Sequence, residues 1–318
     1  MSTRRDFIKQ LSAVAGLGAA VSMGLGLNPQ QVRAAVAGSW YMPDENELQE
    51  RVFLAFAASS SIWADWATPV NNTIALLAKT IAKYQPVTVL CRPAQLALAK
   101  SKCGTTNIKF ISVALDDIWM RDYGGCFVVD DQGGRGLVDF NFNGWGNKQA
   151  HASDTQVADE LSYQTNASYI SSQLTGEGGG IEVDGHGTAI MTESCWVNSN
   201  RNPGMSRAQI EAELKANLGL RKIIWLPGIK DKDITDAHVD FYARFASKGV
   251  VVANLDNDPK SYDYAVTRKH LEILKAATDA DGNKLQIHTL PPPLKKRSNV
   301  YTQNNPDFAP GYINYLPI

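Results

Sequence analysis

Thr235-Asp-Ala-His-Val-Asp-Phe-Tyr-Ala-Arg244, followed four residues later by the apolar run Gly249-Val-Val-Val-Ala253, is the stretch from which this 318-residue chain is best read. The apolar run reads as a strand. If the segment from Ala237 is extended too, the two-residue period puts His238 and Asp240 on one face and Val239 and Phe241 on the other. An imidazole and a carboxylate would then stand side by side, held by strand backbone. His-x-Asp alone describes equally well the polar face of a half-buried strand, so its meaning rests on the rest of the chain.

Working outward, the same rhythm returns. Cys126–Asp130 and Leu137–Phe142 flank the turn Asp131-Gln-Gly-Gly134 and predict a hairpin, after which 154–164 reads as a helix. Ile181–Val183, the turn Asp184-Gly-His-Gly187 and Ala189–Val197 predict a second hairpin. A capping box of Ser206 and Gln209 then opens a helix through Leu218, and Lys222–Leu226 is a strand. Beyond the apolar run come a helix over 262–277 and a strand over 285–290. Nearer the N-terminus, strands at 51–56, 87–91 and 108–113 alternate with helical patterns at 71–84 and 93–100. Repeated ββαβ units suggest a radial or stacked α/β architecture rather than a doubly wound sheet. No low-complexity linker interrupts 40–318, so one domain is expected there.

Residues 1–37 read as something other than the fold. Paired arginines at Arg4-Arg5, then Phe7-Ile8-Lys9, a Gly/Ala-rich apolar run to Leu27 and an Ala35-Val36-Ala37 site have the layout of a twin-arginine export signal. The alternative, a membrane anchor, suits the short, glycine-interrupted run less well. A periplasmic or otherwise extracytoplasmic location follows as an expectation, with no stable membrane association after cleavage. Lys+Arg total 31 against 32 Asp+Glu, a balance that gives no sign of a nucleic-acid partner. The four cysteines, Cys91, Cys103, Cys126 and Cys195, lack zinc spacing and sit in apolar segments, so buried thiols are expected.

Asp122, Glu177, His238 and Asp240 fall at strand ends or glycine bends, where side chains point into shared clefts. Singly, each has an ordinary explanation: Asp122 as an ion pair with Arg121, Glu177 as a solvated residue among glycines. Asp116 and Asp117 read as turn caps. Together the carboxylates and the imidazole suit a planar cation, because carboxylates grip a guanidinium bidentately and fix its plane. Trp119 and Trp145 would pack on the aliphatic stem of such a ligand or stack on the cation. A divalent metal held by His238, Asp240 and Glu177 is the rival, weakened by the lack of a second nearby His.

Several segments carry a family resemblance. They are Asp116-Asp-Ile-Trp-Met-Arg-Asp122, Phe140-Asn-Phe-Asn-Gly-Trp-Gly146, Gly176–Thr188, Asn200-Arg-Asn-Pro203, Trp225-Leu-Pro-Gly228 and Thr235–Asp240. In that order they resemble the agmatine deiminase and bacterial peptidyl-arginine deiminase family of the guanidino-group-modifying superfamily. Ala237 stands where the family usually has Gly, and His186 where an acidic residue is common.

The resemblance implies a five-bladed α/β-propeller of the pentein type. It also implies hydrolysis of agmatine to N-carbamoylputrescine and ammonia, a step of putrescine biosynthesis, or the deimination of arginine in peptides. Asp122 and Asp240 would bind the guanidinium, while His238 would act as acid and then base, partnered by Glu177. A Cys thiolate would attack the guanidinium carbon, with neither metal nor organic cofactor required. In the family that Cys lies in a His-Cys motif near the C-terminus, and none of the four cysteines here occupies such a motif. The closing Gly311–Tyr315 resembles the segment before it, so the last unit is expected to be truncated just as a strand begins. The expectation is then either a fragment of a longer protein, or a truncated, inactive product, a guanidinium-binding homologue without turnover.

Overall fold

Where a glycine or aspartate turn follows a short apolar run, the chain folds back on itself. A helix then returns it to lay a third strand parallel to the second. The computed structural model describes residues 40–293, 295, 298, 302 and 311–318. Four three-stranded sheets are present among them. The first is parallel throughout: β1 (Val52–Phe56), β2 (Val87–Cys91) and β3 (Ile108–Ser112), joined by helices α1 (Ala67–Ile81) and α2 (Leu96–Cys103).

The other three share the ββαβ connectivity, an antiparallel hairpin followed by a parallel third strand. They are β4 (Cys126–Val129), β5 (Arg135–Asp139), α3 (Val157–Thr165) and β6 (Ser168–Ser171); β7 (Glu182–Val183), β8 (Thr188–Thr192), α4 (Arg207–Leu218) and β9 (Lys222–Leu226); and β10 (Ala243–Ser247), β11 (Val250–Asn254), α5 (Asp263–Ala276) and β12 (Gln286–Leu290). The chain is therefore of the α/β class.

Local chemistry explains the third unit well. All five residues of β8 are buried, as a central strand covered on both faces requires. The capping box of Ser206 and Gln209 forms and starts α4. Gly219 ends that helix in the left-handed conformation, where a Cβ would stand 2.1 Å from the Trp40 carbonyl oxygen. Ile210, Leu214 and Leu218, one helical turn apart, sit in one core cluster with Met191, Cys195 and Trp196. Each such aliphatic side chain contributes about 1.5–3 kcal/mol by leaving water.

The structure departs from the sequence reading in four places. The segment 235–244 is not a strand: Val239–Phe241 is a short 3-10 turn, and β10 begins only at Ala243. The strand expected to reach Val197 stops at Thr192, because Glu193–Trp196 curls into a helical turn that buries Cys195 and Trp196. β6 was unforeseen, being short, polar and mostly exposed. No strand forms over 311–318.

A short helical turn stands immediately before each hairpin: Met120–Tyr123 before β4, Gly178–Gly180 before β7, and Val239–Phe241 before β10. The first of these turns packs on the second, and the second on the third. The candidate site forms where they meet.

Candidate active site

Asp233 builds the approach to His238. Its carboxylate accepts from the backbone N–H of Thr235 at 2.7 Å and of Ala237 at 3.1 Å, while Thr235 Oγ1 accepts from His238 N at 3.1 Å. Such side-chain turns compete successfully with strand pairing. They force Asp236 and Ala237 to φ of +60° and +68°, the region that favours glycine, and swing His238 inward. His238 and Asp240 are thus presented by a knitted loop rather than by one strand face.

His238 is buried and held on both ring nitrogens. Nε2 lies 3.1 Å from Glu177 Oε2 and Nδ1 lies 3.7 Å from Asp122 Oδ1. Asp122 Oδ2 accepts from the Trp145 indole at 3.0 Å, and its Oδ1 accepts from Gly179 N at 3.2 Å. Asp240 lines the same cavity, and its buried Oδ1 has no hydrogen-bond partner among the described residues. Gly179 lies at the centre. A Cβ there would stand 2.5 Å from His238 Nδ1, 2.8 Å from Asp122 Oδ1 and 2.9 Å from Asp240 Oδ2.

Glu177 is fully buried, not the solvated loop residue its glycine neighbours suggested. Arg201 Nε donates to both of its oxygens at 2.9 Å, Arg201 Nη1 reaches Asp236 Oδ2 at 2.8 Å, and Nη2 donates to the Thr235 carbonyl at 2.9 Å. One guanidinium therefore ties Glu177 to the loop that carries His238. Asp122, for its part, is not paired with Arg121, whose ion-pair partner is Glu45.

The cavity, about 340 Å³, is lined by Asp122, His238 and Asp240 at its polar end. Ile62, Trp63, Trp119, Trp145, Ile234 and Phe241 give it apolar walls. Trp119 and Trp145 both belong to this lining, but the Trp145 N–H is committed to Asp122, so this indole positions the carboxylate as well as lining the wall. Asp116 caps the start of the 151–156 segment, accepting from Ser153 N at 2.7 Å. Asp117 does not cap a turn; its carboxylate collects side-chain donors from the cavity walls.

Electrostatics follow from the burial. For His238, burial opposes the imidazolium, but Asp122, the Cys195 sulfur and Glu177 outweigh it and hold the ring protonated well above the usual range. For Glu177, burial opposes the charge, yet the His238 hydrogen bond and Arg201 keep its carboxyl below the usual value. Burial pushes Asp122 upward and Asp240 to about 6.

A guanidinium favours ionised carboxylates, so binding should release protons near pH 6. Affinity should rise from pH 5 to 7 and level off above the Asp240 value. Asp240→Asn should lose about 2 kcal/mol of affinity and flatten that profile. Calorimetry of guanidinium binding across this range checks both. An unchanged slope in the variant would assign the titration elsewhere.

All four cysteines are free and buried, and among the described residues none lines the cavity. Cys195 comes nearest, its Sγ lying 3.8 Å from Glu177 Oε2. Burial lifts its thiol pKa, with Arg201 and His238 opposing. Glu177, Cys195 and His238 place donor atoms within 4.8 Å of one another, the metal-competent grouping found among the described residues. Asp240 is not part of it, so the ligand set of His238, Asp240 and Glu177 does not form. The Arg201 guanidinium on both Glu177 oxygens already supplies that carboxylate with a cation.

Arg201, Trp63 and Gly179 were not singled out by sequence reasoning, and Asp117 was read only as a turn cap. Gly179 sat in a recognised glycine run, but the contacts that single it out join residues far apart in the chain.

Two buried carboxylates, one with an orphaned oxygen, beside an imidazole backed by a third carboxylate give the cavity the charge and shape to receive a planar cation. The chain belongs to the Porphyromonas-type peptidyl-arginine deiminase family, whose profile matches residues 41–318. It is 37% identical over 260 residues to an agmatine deiminase of Stutzerimonas stutzeri (strain A1501), covering 80% of this chain and 71% of that one. Among solved structures, agmatine deiminase of Enterococcus faecalis superposes with a TM-score of 0.82 at 28% identity, covering 92% of this chain and 83% of the other. A C. jejuni agmatine deiminase with substrate bound gives a TM-score of 0.76 at 26% identity, covering 87% and 80%.

Proposed function

We propose that this protein is an agmatine deiminase, a hydrolase that takes agmatine to N-carbamoylputrescine and ammonia in putrescine formation. The observation that carries the proposal is the convergence of Asp122, Asp240 and His238 on one cavity, with Glu177 behind the imidazole. The two aspartates take the guanidinium, and the Trp119 and Trp145 walls take its alkyl stem. A thiolate bonds to the guanidinium carbon, and the C–N bond breaks as His238 gives its proton to departing ammonia. The neutral imidazole then accepts a proton from water, which adds to the thiouronium carbon and breaks the S–C bond. Glu177 compensates the charge on His238 in the protonated steps.

The thiol this route needs is not among the cavity's described lining. Agmatine is expected to bind in this cavity. Calorimetry and an ammonia assay decide the matter. Absence of binding overturns the reading, and turnover abolished by Cys195→Ser would make Cys195 the nucleophile. A peptidyl-arginine substrate is the second reading, favoured by the family's description. A blocked arginine peptide binding more tightly than agmatine would establish it.

We read the four sheets as blades of a five-bladed pentein-type propeller, supported by the ββαβ connectivity that three of them share. Residues 38–318 would form that domain. Export by the twin-arginine route rests on residues 1–37, which lie outside the described residues. Among those described, no helix is long and apolar enough to cross a membrane. Secretion of a reporter fused to residues 1–37, lost on Arg4→Lys with Arg5→Lys, tests the route.

A further inference from the structure

Asp117 is buried, at 1% exposure, yet no Lys or Arg pairs with it among the described residues. Its Oδ1 accepts from the Trp63 indole at 2.6 Å, and its Oδ2 accepts from the Trp119 indole and from Gln149 Nε2, both at 3.0 Å. All three donors line the cavity and come from different parts of the chain. The cations in the neighbourhood are committed elsewhere. Arg121, itself a lining residue, pairs with Glu45, and Lys148 pairs with Asp236.

We propose that Asp117 is a specificity-determining residue that selects guanidines whose far end is a primary ammonium. This rests on the deiminase reading above and adds to it the recognition of the end that does not react. Three things follow from one carboxylate gathering two indole N–H groups. The rings are fixed, stacked at 6.2 Å between centroids and 30° between planes. Their N–H edges are spent on Asp117, so faces and apolar edges remain for the ligand. Donation to an anion also enriches the rings in electron density, which strengthens attraction for a cation over the face.

The buried negative charge adds a longer-range field that solvent screens poorly. It attracts an ammonium and repels the α-carboxylate of free arginine. Asp122 and Asp240 would thus hold the guanidinium, while the Asp117-backed indoles hold the far cation without contacting it through a carboxylate oxygen.

Calorimetry with agmatine, n-butylguanidine and L-arginine tests this on the whole chain. n-Butylguanidine has the same stem and head without the ammonium. The wild-type protein should prefer agmatine over n-butylguanidine by about tenfold, with L-arginine weakest. Asp117→Asn should erase most of that preference by weakening agmatine more than n-butylguanidine, with near-UV circular dichroism showing that the variant is folded. Equal wild-type affinity for agmatine and n-butylguanidine overturns the inference and leaves the deiminase reading standing, whether or not the variant folds. A parallel loss for both ligands in Asp117→Asn overturns it too, reducing Asp117 to a structural tie. Failure of both guanidines to bind the wild type removes the deiminase reading along with it.

Discussion

Gly179→Ala is expected to weaken agmatine binding by about a hundredfold while leaving the fold in place. The backbone at this residue has no left-handed conformation to lose, so the effect is one of space. The added methyl group would stand within 3 Å of His238, Asp122 and Asp240 at once. Two of the three cannot retreat freely: His238 is hydrogen-bonded to Glu177, and Asp122 to Trp145 and to the Gly179 N–H itself. The methyl must therefore spread the groups that take the guanidinium. Overpacking of this kind costs about 1–3 kcal/mol, and here the cost falls on the ligand geometry. Calorimetry together with near-UV circular dichroism gives the answer. Native-like spectra with unchanged affinity would mean that the cluster is not where the guanidinium sits.

The second large effect belongs to Arg201→Met. The arginine, Glu177 and Asp236 all have fully buried side chains, and the guanidinium touches both carboxylates and the Thr235 carbonyl. Methionine fills similar space but strands two buried acceptors. Breaking a buried pair from one side costs about 3–5 kcal/mol. Asp236 keeps Lys148 and Asn200, so the loss falls chiefly on Glu177. Without its cation, Glu177 should bind a proton more readily and cease to balance His238. Arg201→Lys restores the charge but cannot reproduce the three-way bridge, so it should recover only part of the loss. Urea unfolding of the three proteins measures this, and a loss below about 1 kcal/mol in Arg201→Met would mean that the network is solvated.

Much of this was open to reading along the chain. Val87–Cys91 and Lys222–Leu226 form strands at the limits expected from their apolar runs. The capping box of Ser206 predicted the start of α4. Asp122, Glu177, His238 and Asp240 were picked out by type and position, and they do come together. What escaped was the conformation that brings them there. The alternation at His238 and Asp240 suggested a strand, but Asp233 and Thr235 bond the loop backbone first, a signal present in Asp233-x-Thr235 and outweighed by the apolar run nearby. Ala237, departing from the family's usual glycine, still adopts glycine-like φ because those bonds hold it. Arg201 and Asp117 were beyond reach for another reason. Apart from the neighbouring Asn200 and Trp119, their partners lie 24 to 54 residues away, and no periodicity marks a buried polar tie.

The three helical turns that precede the hairpins have a dynamic consequence. The first and third precede different sheets, so a ligand touching Asp122 on one and His238 and Asp240 on the other acts as a strut between segments that could otherwise open independently. Backbone amides in both of these units would then gain protection from hydrogen exchange together when the cavity fills, including amides far from the ligand. Conversely, fraying of either unit empties the site before the rest of the protein has unfolded.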